Sequence, residues 1–167
     1  MNKELKKKCL RLIEEFEGFS RKVYKCTEDK NTIGYGLNMD SMDLKSFNEI
    51  LNTNFRTRAL AVKFYRDNYI TNVQGKLIAL HYIEEGYKSL KKNYWITKET
   101  PEFIKLVLLD LVFNMGIGKL NKFVKFKKNI KNNDIIEAVE ELKDSIYYTQ
   151  VKNRANKLIE ILLNGGI

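Results

Sequence analysis

Apolar residues recur along most of this chain at helical spacing, with one short interruption. Between residues 3 and 16, Leu5, Cys9, Leu12, Ile13 and Phe16 follow one another at steps of four, three, one and three. That is the stripe of an amphipathic helix, and Gly18 ends it, because glycine readily adopts the backbone shapes that stop helices. The period then changes. Residues 22 to 36 read as two strand-like runs joined by the polar turn Thr27-Glu28-Asp29-Lys30-Asn31, with a third short strand around Leu37 to Met39. Asp40-Ser41-Met42-Asp43 offers N-caps for a short helix through Leu51. From about Thr57 to Leu90 the pattern is mostly helical, with Gly75 and Gly86 as the expected interruptions. Thr100-Pro101-Glu102 predicts a helix start with Thr100 as N-cap and Pro101 at the first helical position. The helix that follows, Phe103 to Met115, is apolar nearly all round, as expected for one buried at the centre of a helical lobe, and Gly116 and Gly118 end it. Further helices are expected at about Asn121 to Asn129, at Ile135 to Lys143 behind an Asp134/Glu137 capping box, and from Gln150 to Leu163 before Gly165-Gly166.

A chain of 167 residues suffices for one domain, or for two small lobes sharing a long element. One Pro and nine Gly agree with a helix-rich fold with few tight turns, and no apolar run approaches the length of a membrane span. The N-terminal stretch is basic and then amphipathic, with Glu14, Glu15 and Glu17 where a secretory signal would be apolar. It predicts synthesis in the cytoplasm without a Sec-type signal peptide, and action only after release. Cys9 and Cys26 are too few for a disulfide framework and are expected as free thiols, Cys9 as a small buried hydrophobe on the first helix stripe. With His81 the sole histidine, a His-rich metal site is excluded, and no cofactor is implied; His81 reads as a surface or half-buried structural residue.

The net charge of +9 calls for a partner class. Lys119, Lys122, Lys125, Lys127, Lys128 and Lys131 fall in a stretch without a single acid. Such a run steers a protein toward polyanions, either nucleic acid or the anionic polymers of a bacterial envelope, unless it is simply a solvated helix face. No nucleic-acid reader motif accompanies it, and a monomer is expected.

Chemistry concentrates in Glu17–Asn38, EGFSRKVYKCTEDKNTIGYGLN. Glu17 sits at a helix C-terminus, where the dipole disfavours a negative charge and where a surface helix would more often carry Lys or Arg. The hairpin that follows would bring polar groups opposite it, and Gly34-Tyr35-Gly36 suggests a backbone that approaches something closely. A carboxyl group held still beside a polar hairpin suits a polysaccharide hydrolase.

Glu17-Gly18, Val23-Tyr24-Lys25 and Thr32-Ile33-Gly34-Tyr35-Gly36 resemble the active-site segment of the phage-type lysozymes, glycoside hydrolase family 24. The similarity resumes at Phe113-Asn114-Met115-Gly116 and at Gln150 with Asn153-Arg154-Ala155. The resemblance implies a mainly α, α+β fold of lysozyme type. It would be a single domain over residues 1–167, with an N-terminal lobe at about 13–60 whose hairpin spans about 20–39. A helical C-terminal lobe at about 75–167 would pack with the helix of residues 1–12, and a long helix would join the two. It implies cleavage of the β-1,4 bond between N-acetylmuramic acid and N-acetylglucosamine in peptidoglycan, with Glu17 as general acid and Thr32 placing a water. Tyr35, Leu37, Phe113 and Asn114 would line the glycan path, Asn114 binding an N-acetyl group, and Arg154 would orient Glu17.

Where the family pattern has Asp, this chain has Cys26, and its usual His after the second Gly is Leu37. Cys26 could act as a thiolate, as an oxidised sulfinate, or not at all, with Asp29 or Glu28 supplying the charge. A wall-binding protein with weakened or lost catalysis is the alternative on the same fold.

Overall fold

The computed structural model of the chain describes residues 1–166. Its elements run α1 (Lys3–Glu17), β1 (Ser20–Lys25), β2 (Asn31–Gly34), β3 (Leu37–Asn38), α2 (Leu44–Leu51), α3 (Arg58–Asp67), α4 (Asn72–Lys92), α5 (Glu102–Leu120), α6 (Val124–Asn132), α7 (Ile135–Lys143), α8 (Ile146–Gln150) and α9 (Lys152–Asn164). The chain separates into two compact units, one of residues 10–82 and one of residues 1–9 with 83–166. The long helix α4 begins in the first unit and ends in the second, and α1 is likewise divided.

In the unit of residues 10–82, a three-stranded antiparallel sheet in the order β1-β2-β3 is the scaffold. Tyr24 faces Thr32 across β1 and β2, Thr32 faces Asn38 across β2 and β3, and Ile33 faces Leu37. Because side chains alternate along a strand, Tyr24, Thr32 and Asn38 share one side of the sheet and Ile33 and Leu37 the other. Ile33 and Leu37 enter a core with Met39, Met42, Phe47, Leu51, Ala61, Val62, Tyr65, Ile70 and Ile78. Asp43 caps α2 by accepting from the Ser46 amide, as its place in the Asp40–Asp43 stretch suggests.

The helical region expected from Thr57 to Leu90 breaks at a different place from the one the glycines indicate. Gly75 and Gly86 both lie inside α4, and the interruption falls at residues 68–71. Two capping contacts explain it: the Asn68 amide group donates to the Phe64 carbonyl, and Thr71 exchanges hydrogen bonds with Gln74. Between them the Ile70 amide donates to the Arg21 carbonyl of β1, which pins the break to the sheet edge. The glycines serve packing instead. A Cβ on Gly75 would lie 2.6 Å from the Phe19 ring, and one on Gly86 would lie 2.9 Å from Cγ1 of Val112.

The second unit is helical throughout. α5 is buried along Ile104–Val112, as its all-round apolar sequence predicts, and it continues to Leu120 through Gly116, whose φ of 78° makes a kink rather than an end. Pro101 is its N-cap, one position later than expected, because the Thr100 hydroxyl is already accepting from the Thr97 amide. α6 begins three residues late, after Asn121–Phe123 form a turn. The capping box before α7 does not form, since Asp134 makes no side-chain cap. Residues 146–150 form the separate helix α8, capped by Ser145, so α9 starts at Lys152.

A buried ion pair lies in the interior of this unit. Asp110, within the buried run of α5, accepts from Nε and Nη2 of Arg154 on α9 at 2.8 and 2.9 Å. Both side chains are almost wholly withdrawn from water, and a bidentate geometry is what makes such burial tolerable. Cys9 lies fully buried, its thiol pushed up by burial and then by the Asp110 charge, against the pull of Arg154.

The Gly86–Val112 contact gives a test of the packing. Replacing Gly by Ala in a helix gains about 1 kcal/mol of intrinsic propensity. Forcing a methyl against a β-branched neighbour in a close-packed core costs about 1–3 kcal/mol. Gly86→Ala is therefore expected to lower the unfolding free energy, and to raise it when made in a Val112→Ala background. Urea denaturation of the four proteins checks the change of sign.

Candidate active site

Glu17 is the last residue of α1, and Gly18, with φ of 63°, turns the chain into β1. The returning backbone at the end of the hairpin then passes directly over the Glu17 carboxyl group. Gly36 has φ of 80°, and a Cβ there would sit 2.8 Å from Oε2 of Glu17. The Gly34-Tyr35-Gly36 run thus provides the close approach its composition suggests, and its object is the acid side chain.

Cys26 follows β1 and opens the turn. Its amide donates to the Lys30 carbonyl at 3.0 Å, and its carbonyl accepts from the Asp29 amide at 2.9 Å, so the turn closes on itself. Asp29 takes a left-handed backbone at the tip, a conformation Asp tolerates better than most residues. The thiol is half-buried. Burial pushes its pKa up. Hydrogen bonds from the backbone N–H groups of Lys30 and Glu28, and one with the Thr32 hydroxyl, outweigh that, and the net shift is downward from the ordinary thiol value. The Thr32 hydroxyl also donates to the Lys30 carbonyl at 3.1 Å. Having one hydrogen, it donates either to that carbonyl or to a thiolate, and so couples the state of Cys26 to the turn.

Tyr24 ties the two centres together. Its hydroxyl is raised above the ordinary value by burial first, then by the negative charge of Glu17 and of Cys26. Glu17, Tyr24, Cys26 and Thr32 thus occupy one electrostatic neighbourhood, with Tyr24 and Thr32 facing each other across the strands. The phenol stays protonated at neutral pH and is available as a donor. Reading the sequence for carboxylates and nucleophiles passes over Tyr24; the signal that could have found it is its strand position, two residues before Cys26 on the same side of the sheet.

The acidic residues of the turn are placed differently. The Asp29 side chain is 88% exposed and pairs with Lys25 at 3.4 Å. Glu28 pairs with Lys30. Tyr35 is buried, its ring packed on Phe19 at 5.2 Å and its hydroxyl accepting from the Asn72 amide group at 2.7 Å. Leu37 is buried in the core cluster beside Ile33. In the helical unit, Phe113 is half-buried and Asn114 exposed near the kinked end of α5, while Arg154 is held by Asp110. Among the described residues, no group of His, Cys, Asp and Glu is arranged to hold a metal. His81 is half-buried, stacked edge-on against Tyr82.

Comparison with known proteins identifies the family of the chain. The phage lysozyme family model matches residues 14–160, nearly the whole chain. The chain is 26% identical over 156 residues to the probable T4-type lysozyme 1 of Dictyostelium discoideum, covering 90% of this chain and 91% of that protein. It is 28% identical over 165 residues to the probable T4-type lysozyme 2 of the same organism, with the same coverages. It also resembles the pre-baseplate central spike protein Gp5 of Enterobacteria phage T4, 24% identical over 162 residues that make up 28% of that protein. The match takes in the end of α1, the whole hairpin and α5 to α8, and with it this chain belongs to the phage lysozyme family, glycoside hydrolases of the muramidase type that act on peptidoglycan.

Proposed function

We propose that this protein cleaves the β-1,4 bond between N-acetylmuramic acid and N-acetylglucosamine, for cell lysis or wall degradation, with Glu17 as general acid and the Cys26–Thr32 pair as the second catalytic group. The observation that carries the reading is the hairpin itself, which passes Gly36 directly over the Glu17 carboxyl group and holds Cys26 and Thr32 at its closed turn. Glycoside hydrolysis needs a proton for the leaving oxygen and a second group that supplies or activates a nucleophile. Glu17 gives its proton to the glycosidic oxygen as the bond to the anomeric carbon breaks. The Cys26 thiolate, beside the Thr32 hydroxyl, takes a proton from a water as that water bonds to the anomeric carbon. The sum is bond plus water to two sugar ends, and the proton on sulfur returns to Glu17 through solvent. Asp29 is less suited to the second role, since its carboxylate points into water and is shared with Lys25.

Arg154 is held within its own unit by Asp110, and the exposed Asn114 is proposed to hold an N-acetyl group. Tyr35 and Leu37, expected to line the glycan path, are buried instead, and the half-buried Phe113 is proposed to contact the sugar. The lysine run is a second element of the proposal. Lys119, Lys122, Lys125, Lys128 and Lys131 are exposed, whereas Lys127 is drawn to the Asn93 carbonyl and the Trp95 ring. The exposed five are suited to anionic envelope polymers. Because Cys26 is a thiol, a protein that binds wall glycan without turning it over is the competing reading.

Dye release from purified peptidoglycan separates the two. Glu17→Gln and Cys26→Ala are each expected to lower kcat about 100-fold or more, the range of a lost general acid or base. Wild-type activity in Cys26→Ala would remove the thiol from the mechanism, and binding without release in the wild type would establish the competing reading.

Gly36→Ala tests the contact over the acid. The added methyl meets the mobile end of a side chain, so its effect on stability is limited to the left-handed backbone, roughly 1–2 kcal/mol. Displacing the carboxyl group by about 1 Å is expected to lower kcat about 100-fold. Thermal unfolding and kinetics on the same variant show whether activity falls far more than stability.

Alkylation reports the state of Cys26 directly. A depressed thiol pKa means that the thiolate forms at lower pH than in a free cysteine, so the iodoacetamide rate profile of folded protein should be displaced toward acid. Thr32→Val removes one hydrogen bond to sulfur and should move the profile back toward alkali. Cys9, fully buried with its thiol raised, should react only after unfolding.

A further inference from the structure

α3 carries an apolar stripe on one side and exposed apolar residues among charges on the other. Ala61, Val62 and Tyr65 face the core, as an amphipathic helix requires. Leu60, Lys63, Phe64 and Asp67, at steps of three, one and three, form a second stripe on the outside. Leu60 remains 49% exposed and Phe64 45%. This outer stripe, with Asn54, Phe55 and Arg56 from the loop before α3 and Asn68 after it, lines a shallow pocket of about 650 Å³. Neighbouring apolar residues left in water are costly to retain and mark a binding surface more often than isolated ones do.

The pocket is pre-organised. Asn48 on α2 donates to the Phe55 carbonyl at 2.9 Å and accepts from the Phe55 amide at 3.1 Å, which locks the loop. The Phe64 ring stands edge-on to Tyr65 at 4.9 Å and tilted against Phe55 at 5.4 Å, so the floor is an aromatic surface with few rotamers left to lose. The rim, by contrast, is uncommitted. The side chains of Arg56, Lys63 and Asp67 make no ion pair or hydrogen bond among the described residues, and two cations against one anion leave it positive. The same helix is tied to the catalytic hairpin, because Arg66 donates to the Asn31 side chain at the start of β2.

We infer that this pocket is an accessory site for uncleaved peptidoglycan, outside the catalytic hairpin, that takes a sugar ring on Phe64 and the carboxylates of an attached stem peptide on Arg56 and Lys63. The inference rests on the peptidoglycan substrate of the proposed function. An apolar sugar face lies flat on an aromatic ring, Asp67 accepts from sugar hydroxyls, and the guanidinium group is shaped to bind a carboxylate with two parallel hydrogen bonds. A polymeric substrate can touch the enzyme at two places at once, so a weak second site raises residence on the wall without altering the chemistry.

The test uses the full chain carrying Glu17→Gln, so that binding is read without cleavage, and peptidoglycan sacculi stripped of secondary wall polymers. Arg56→Ala with Lys63→Ala is expected to weaken co-sedimentation about tenfold, the scale of two exposed ion pairs. Removing the same charge elsewhere, with Lys3→Ala and Lys7→Ala, should change it less than about twofold. On glycan strands whose stem peptides have been removed by an amidase, the Arg56/Lys63 change should make no difference. With Glu17 restored, the same pair of changes should raise KM for sacculi and leave kcat unaltered. Unchanged binding, equal weakening by both charge pairs, or an effect that persists on peptide-free strands would each overturn the site. Failure of the underlying hydrolase reading looks different: the unmodified protein would release no soluble fragments from sacculi, whatever the state of the pocket.

Discussion

The contact of Gly36 with Glu17 is the constraint around which the N-terminal half of the chain is built. A helix ends where its last side chain is an acid, and a hairpin returns so closely over that acid that a Cβ at Gly36 would have to displace its carboxyl group. The second requirement fixes much else. The hairpin has to turn within five residues, its final strand is only two residues long, and its inner face has to be anchored so that the backbone cannot drift from the carboxyl group. Ile33 and Leu37 are that anchor, buried in the core beneath the same short strands that carry the chemistry.

The alternation of the sheet divides the labour. Ile33 and Leu37 point to the core, while Thr32 and Tyr24 lie on the opposite side, in reach of Cys26 and Glu17. A slip of one residue in register would exchange the two sets. The break between α3 and α4 protects that register from outside, through the hydrogen bond from the Ile70 amide to the Arg21 carbonyl on β1. Core packing and the placing of reactive groups are therefore one problem here, solved by the same three strands.

Much of this was legible in the sequence where a single local rule decides the outcome. The stripe of α1, the hairpin, the buried run of α5 and the capping of α2 by Asp43 follow from periodicity and cap chemistry. Misreadings arose where a residue serves a distant partner. Gly75 and Gly86 look like helix breakers, yet each is small because Phe19 or Val112 occupies the space a side chain would need. Thr100 looks like an N-cap, yet its hydroxyl is engaged with Thr97, so Pro101 takes the position. At the candidate site, Glu17 stands out in the sequence from its place at a helix end. Tyr24 does not, because its part depends on what the fold sets beside it.

The thiol at position 26 shows where sequence reading stops for a physical reason. A carboxylate is ionised at neutral pH without assistance, whereas a thiol with its pKa near 8.5 is mostly neutral and needs its surroundings to favour the anion. Burial works against it here, and so does the negative charge of Glu28. What reverses the balance is backbone: two amides of a tight turn aimed at sulfur, held there by a left-handed residue at the tip and by the Cys26–Lys30 hydrogen bond. Main-chain donors have no letter of their own. A turn of polar residues reads as solvent-exposed filler, and only its closed geometry turns it into an anion-stabilising cradle that Thr32 completes with one shared hydrogen.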